Sequence, residues 1–232
     1  MSADPSASQV SLAFIRSCVE ATPLRAELAR FDSECAAPAV HEALVEGLDA
    51  FQSDLDRWSL RFDSPDRLFA HMLFALNLQA TYFYRVSHAL WRREVAWVPD
   101  VIATASKQLT GLEIYYSAKI GPGLKVIHGV GAVIGAMCTV GSRFTIYQGA
   151  TVGDKLGRDT GKRPVVGDQV IATVGAQILG PVTVGSKSVI AANAVVLQSL
   201  PERCVAAGVP ARVVVSDLTD EAFGEYWASI KG

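Results

Sequence analysis

The chain has 232 residues, half of them apolar and 19% charged, with a formal net charge of −2 at pH 7. That balance supports a sizeable buried core and excludes a disordered chain. No basic stripe interrupts it, which argues against nucleic acid and anionic membrane surfaces as partners.

The opening stretch, Met1 to Gln9, is polar and lacks the basic-then-apolar order of a secretion signal. No apolar run approaches the roughly 18 residues expected of a membrane span. Four scattered cysteines (Cys18, Cys35, Cys138, Cys204) form no C-x-x-C pair. The expectation is therefore a soluble, cytoplasmic protein with neither a disulfide scaffold nor a zinc site.

Helices are predicted around Val10–Val19, Ala39–Trp58, Ser64–Trp91 and Val98–Leu109, where apolar residues recur three and four apart. Pro23 and Pro65 read as breaks or first turns, and Pro99 interrupts the run after Trp91. Near Leu112 the texture changes to valine, isoleucine and glycine, the composition of strands and tight turns.

From there aliphatic residues recur every six positions: Ile114, Ile120, Val126; Ile134, Val140, Ile146, Val152; Val166, Ala172, Ile178, Val184, Ile190, Val196. Several are followed by glycine. A strict period of six predicts a parallel β-helix in which each hexapeptide forms one face of a triangular prism, with the aliphatic side chain inside. Three hexapeptides close a coil, and coils stack about 4.8 Å apart. An ordinary valine- and glycine-rich β-sandwich is the rival reading. The fold class is thus α+β, with an α-helical domain at 1–110, a β-helix at 111–215 and a tail at 216–232.

Two breaks in phase are informative. Two extra residues fall between Val126 and Ile134, and eight more between Val152 and Val166, in the polar stretch Asp154–Pro164. Insertions in a solenoid are expelled to the surface, where chemistry tends to sit. His128, the only histidine after position 110, lies in the first break. A neutral imidazole with an ordinary pKa near 6.5 suits a general base at cellular pH. A structural histidine is the plain alternative. His41, His71 and His88 fall in helical text, and no ligand set for a metal is evident.

These residues resemble a known family. Glu113-Ile114-Tyr115-Tyr116-Ser117-Ala118-Lys119-Ile120-Gly121-Pro122-Gly123 resembles the D-I-H-P-x-A-x-I-G-x-G entry of the serine O-acetyltransferase left-handed β-helix. His128-Gly129-Val130-Gly131-Ala132-Val133-Ile134-Gly135 is similar to the segment bearing that family's catalytic histidine. Ala206-Ala207-Gly208-Val209-Pro210-Ala211-Arg212 matches its A-A-G-x-P-A-R signature, and Tyr84-Arg85-Val86-Ser87-His88-Ala89-Leu90-Trp91 its Y-R-x-x-H-x-L-W. The resemblance runs from about Tyr82 to Arg212.

It implies transfer of an acetyl group from acetyl-CoA, as co-substrate, to the hydroxyl of serine or a related small carboxylate-bearing acceptor. No tightly bound cofactor or metal is implied. His128 would be the base, and Glu113, where the family has aspartate, the carboxylate that steadies the imidazolium. Lys162 and Arg163, in place of the family's Arg-His pair, would hold the acceptor carboxylate. Asp63 would stand for another acceptor-binding aspartate. Ile127 replaces an acidic residue beside the base, which points to a more apolar acceptor or to serine held differently.

Coenzyme A would lie along the prism between neighbouring subunits. Gly153, Ala172, Gly175 and Ala176 would meet the pantetheine, and Lys187 and Arg212 the phosphates. The family implies a homotrimer or a dimer of trimers, with the helical domain serving assembly and part of the acceptor site. The ending Ser229-Ile230-Lys231-Gly232 lacks the terminal isoleucine that docks into cysteine synthase, so no such docking is expected. Three readings stay open: serine O-acetyltransferase, a related acyltransferase of specialised metabolism with another acceptor or acyl-CoA, and a non-catalytic β-helix that binds a partner.

Overall fold

The computed structural model describes residues 5–155 and 161–228. It divides into two compact units between Ser117 and Ala118, a few residues beyond the change in sequence texture.

The first unit is helical. It runs α1 (Pro5–Glu20), a 3-10 turn (Pro23–Glu27), α2 (Leu28–Cys35), α3 (Pro38–Asp56), α4 (Pro65–Met72), α5 (Leu76–Arg92), α6 (Val98–Thr110) and the short strand β1 (Glu113–Ile114). Ser64 caps α4 by accepting the Arg67 N–H, with Pro65 in the first turn. Gly111 ends α6 at φ 67°, its N–H returning to the Lys107 carbonyl. This left-handed position is one that glycine occupies without a side-chain clash. The predicted helix over Ser64–Trp91 is two helices, because the chain tightens at His71, whose carbonyl accepts from both Phe74 and Ala75. Leu73 and Phe74 are left 53% and 89% exposed. No proline or glycine marks that break, and the apolar period runs through it, so the sequence reads as continuous.

The helical core gathers around Tyr82. Its ring lies 5.4 to 6.3 Å from those of Phe14, Phe51, Phe69 and Phe83, in tilted arrangements that suit aromatic quadrupoles. Its hydroxyl is satisfied by Ser11. Asp54 on α3 and Arg85 on α5 form a buried two-bond pair, Nε to Oδ2 and Nη2 to Oδ1, each at 2.8 Å.

The second unit is the expected left-handed parallel β-helix. Its first face stacks β2 (Lys119–Ile120), β5 (Thr139–Val140), β8 (Val165–Val166) and β11 (Thr183–Val184). The second stacks β3 (Lys125–Ile127), β6 (Thr145–Tyr147), β9 (Ile171–Ala172), β12 (Val189–Ile190) and β14 (Val205–Ala207), and β15 (Arg212–Val215) joins it antiparallel. The third stacks β4 (Val133–Ile134), β7 (Thr151–Gly153), β10 (Gln177–Leu179) and β13 (Val195–Val196).

Register follows the period of six. Ile120 pairs with Val140 and Val140 with Val166, Val126 with Ile146 and Ile146 with Ala172, and Ile134 with Val152 and Val152 with Ile178. All thirteen periodic residues are buried, none more than 8% exposed. The residue two positions before each is buried as well, as with Leu124 before Val126, Phe144 before Ile146 and Ala176 before Ile178, so each short face packs a fixed pair and the period is strict.

One element escapes the repeat. Helix α7 (Asp220–Ala228) closes part of the second face: Leu218 and Phe223 cover the outward Ile171, Val189 and Val205. Its short amphipathic text after the last repeat carries little signal by itself. No helix of the described residues is long and apolar enough to cross a membrane.

Candidate active site

The three edges of the prism are built differently, and the site follows from them. At the edge between the second and third faces, each coil turns through a residue of positive φ: Gly131, Gly149, Gly175 and Asn193, at 71°, 68°, 66° and 57°. Just before each of the last three, an amide bonds back one coil, Gly149 to Val130, Gly175 to Gln148 and Asn193 to Val174. Val130, Gln148 and Val174 therefore stack as one column along this edge.

Counting from the other side of the corner locates the first insertion. Ile127 is in register with Tyr147, yet Gln148 follows Tyr147 directly while two residues separate Ile127 from Val130. The inserted pair is His128-Gly129. Gly129 N–H bonds to Ile127 O at 2.7 Å across His128, which has φ 59°. A three-residue turn with positive φ on a histidine is an uncommon and strained conformation. It ejects the imidazole from the corner, and His128 is exposed. Among the described residues of this unit, no hydrogen bond or ion pair engages its ring. Ile127 flanks it, half-buried at the end of β3.

Ala172, Gly175 and Ala176 occupy the same edge two coils on. Ala172 points inward and is fully buried. The N–H groups of Thr173, Gly175 and Ala176 are spent on Ile190 O, Gln148 O and Thr173 O. A ligand on this edge thus meets carbonyls and outward side chains more than free amides.

The other expected site residues of this unit lie on different edges. Gly153 ends β7 on the third face, and Lys162 and Arg163 follow in the insertion before β8 on the first. Leu156–Thr160 of that insertion lie outside the described residues. Arg163 Nη1 pairs with Asp154 Oδ2 at 2.9 Å, clamping the base of the insertion, while Lys162 is exposed. Lys187 sits at the edge between the first and second faces, φ 55°. Its ammonium, with Arg203, bonds Asp220 Oδ1 at the start of α7, at 2.8 and 3.0 Å. Arg212, on β15, is exposed and bonds the Ala211 carbonyl. One chain therefore spreads these groups over separate edges instead of gathering them into one pocket.

In the helical unit, Glu113 faces a cavity of about 560 Å³ lined in part by Asp100, Thr104, Lys107 and Tyr116. Lys107 Nζ is 2.5 Å from Glu113 Oε2, and the carboxylate raises the lysine's pKa. The Tyr116 hydroxyl donates to Asp100 at 2.8 Å, an interaction that pushes its pKa up to about 12. Asp63 is exposed one residue before the α4 cap, paired with Arg67 at 2.9 Å. Sequence reasoning overlooked Lys107 and the Asp220 bridge. Among the described residues, no group of three His, Cys, Asp or Glu side chains is placed to hold a metal.

No protein-family model matches the chain. The serine acetyltransferase of Bacillus licheniformis is 39% identical over 142 residues, which is 61% of this chain and 65% of that protein. The chain thus spans just under two thirds of that relative's length. The crystal structure of Neisseria gonorrhoeae serine acetyltransferase superposes with a TM-score of 0.72 at 22% identity, covering 94% of this chain and 82% of the other. That of Brucella abortus serine acetyltransferase in complex with coenzyme A gives 0.64 at 26% identity, covering 88% and 81%. The chain is thus similar in sequence to serine acetyltransferases over 61% of its length and shares the fold of one over 94% of it.

Proposed function

We propose that the chain is an O-acyltransferase that moves the acetyl group of acetyl-CoA to the hydroxyl of serine or a closely related small acceptor bearing a carboxylate. The observation that carries this reading is His128, expelled from a regular corner by a two-residue insertion and held at positive φ. The curated relatives named serine acetyltransferase and a related structure holding coenzyme A support the same reaction class.

In this reading the neutral imidazole of His128 removes the acceptor's hydroxyl proton as oxygen attacks the thioester carbonyl. The tetrahedral centre then collapses and expels the coenzyme A thiolate, which takes the proton back from the imidazolium. Glu113 steadies that imidazolium, and Lys107 shares the carboxylate. Lys162 and Arg163 attract the acceptor carboxylate, with Asp63 a further acceptor contact. Gly153, Ala172, Gly175 and Ala176 border the pantetheine, and Lys187 and Arg212 meet the phosphates. Groups spread over separate prism edges converge only when copies pack side by side, so the working form is a trimer, or two trimers joined, with the co-substrate in the grooves.

Ile127 favours a second acceptor. A half-buried apolar side chain beside the base offers an ammonium group no countercharge and leaves room for a less polar acceptor. Thiol release from acetyl-CoA by the full chain, with serine, homoserine, threonine and hydroxy acids in parallel, tests both. Serine-dependent release supports serine O-acetylation, and release with another acceptor alone moves the substrate while keeping the chemistry. Release with none refutes the reading.

A further inference from the structure

The cavity beside Glu113 carries more charge than acyl transfer uses. On α6, Asp100, Ala103, Thr104 and Lys107 fall three and four residues apart and so share one helix face. Two bonds cross from this face to the strand β1 segment, Tyr116 hydroxyl to Asp100 Oδ1 at 2.8 Å and Lys107 Nζ to Glu113 Oε2 at 2.5 Å. They leave the two ends of the cavity unequal. Lys107 and Glu113 offset each other, whereas the phenol that meets Asp100 is neutral, its pKa pushed up to about 12. Among the described residues Asp100 has no ion-pair partner. The lining therefore sets two carboxylates against one ammonium and is negative by one charge.

A lining of that sign favours a cation at Asp100. An ammonium there gains a charge-assisted hydrogen bond to the carboxylate. Tyr115, 43% exposed and tilted beside Tyr116 with ring centroids 5.8 Å apart, adds an aromatic face to the same cavity. Lys107 sets the other end. Its ammonium has three N–H donors, so a ligand carboxylate can share it with Glu113. Asp100 and Lys107 are seven residues apart, about 10.5 Å along the helix axis, and one small molecule in a cavity of about 560 Å³ can touch both. A diamine would place a cation against Lys107, and a dicarboxylate an anion against Asp100. A zwitterion suits both ends.

We infer that this cavity binds a small free amino acid, with Asp100 the partner of its ammonium and Lys107 of its carboxylate. The inference concerns binding and holds whether or not the chain transfers acyl groups. Where it does, Asp100 supplies the countercharge that Ile127 withholds. An acceptor and a regulatory amino acid share this chemistry, and the test separates them.

The full chain and Asp100→Asn are each titrated calorimetrically with L-alanine, propionate and ethylamine. Alanine has both charged ends and no hydroxyl to acylate, propionate lacks the ammonium, and ethylamine lacks the carboxylate. Wild type is expected to bind alanine about 3- to 10-fold more tightly than either, the worth of one net hydrogen bond in an open cavity. In Asp100→Asn, which keeps the shape and an oxygen for Tyr116, the advantage over propionate is expected to vanish while propionate binding is unchanged. The comparison of ligands in wild type holds even if the variant does not fold. No alanine binding by wild type, equal affinity for alanine and propionate, or an advantage undiminished in the variant overturns the inference. Thiol release from acetyl-CoA, read separately, decides the acyl-transfer reading on its own. Alanine that competes with the acceptor in that assay assigns the cavity to the acceptor, and alanine that changes the rate without competing assigns it to a regulator.

Discussion

Replacing Gly167 by alanine measures how tightly the coils stack. A Cβ at Gly167 would lie 2.6 Å from Ser186 Oγ, 2.7 Å from its backbone nitrogen and 3.0 Å from its Cα. Ordinary contact begins near 3.4 Å, so the next coil must yield by roughly 0.7 Å in a close-packed solenoid. Ser186 Oγ also accepts the Asp168 N–H at 3.0 Å, and a shift loosens that bond. Overpacking of this kind costs about 1–3 kcal/mol, offset by about 0.4–1 kcal/mol from the smaller entropy of the unfolded alanine chain. The net loss is about 0–2.6 kcal/mol, with a midpoint of about 1.3 kcal/mol that corresponds to a drop in Tm of about 3–5 °C for a chain of this size. Gly224, helical and with nothing within 4 Å of its Cβ position, is the control of opposite sign. Gly224→Ala should hold or raise Tm, by up to about 1 kcal/mol of helix propensity. Thermal unfolding followed by far-ultraviolet circular dichroism reads both. A Gly167→Ala protein as stable as wild type would refute the claim that these glycines answer the next coil's backbone.

Asp54→Ala leaves the Arg85 guanidinium, 6% exposed, without its countercharge, and is expected to cost about 3–5 kcal/mol in urea unfolding; a loss under 1 kcal/mol would show that the pair is dispensable. Burial lowers the pKa of His88, against the opposing effect of its Nδ1–H bond to the Tyr116 carbonyl at 2.7 Å. The folded state therefore resists protonation, and this contribution is full above the ordinary value near 6.5 and falls as pH drops from there toward the depressed folded value. The pH dependence of Tm over that window should flatten in His88→Gln, and an unchanged profile would remove His88 from the account. Phe223→Ala removes a ring that is 5% exposed and pins α7 to the second face; limited proteolysis should cut near 216–228 much faster than in wild type, and equal rates would mean that α7 is held by other contacts.

The β-helix was legible because its interior leaves so little choice. The same inward positions recur on every face and force the six-residue period, so Ile114 through Val196 are legible from the sequence, and the first break in phase falls at the His128 turn, where the chain leaves the regular corner. The helical unit was less legible for the opposite reason. Packing against several neighbours tolerates Leu73 and Phe74 in solvent, so the break between α4 and α5 carries no signature, and α2 and α7 are too short to show a period. At the site, His128 stood out because it interrupts a rule. The distribution of Gly153, Lys187 and Ala172 over different edges follows from which strands flank them, a consequence of the repeat that residue types alone do not announce.

The central claim is that His128 is the base of an acyl transfer from coenzyme A. His128→Asn tests it most directly, because asparagine tolerates the positive φ of this turn and cannot serve as the base. Thiol release from acetyl-CoA with the preferred acceptor should fall about 10²- to 10⁴-fold, with coenzyme A affinity and Tm unchanged. A variant that turns over like wild type would contradict the account.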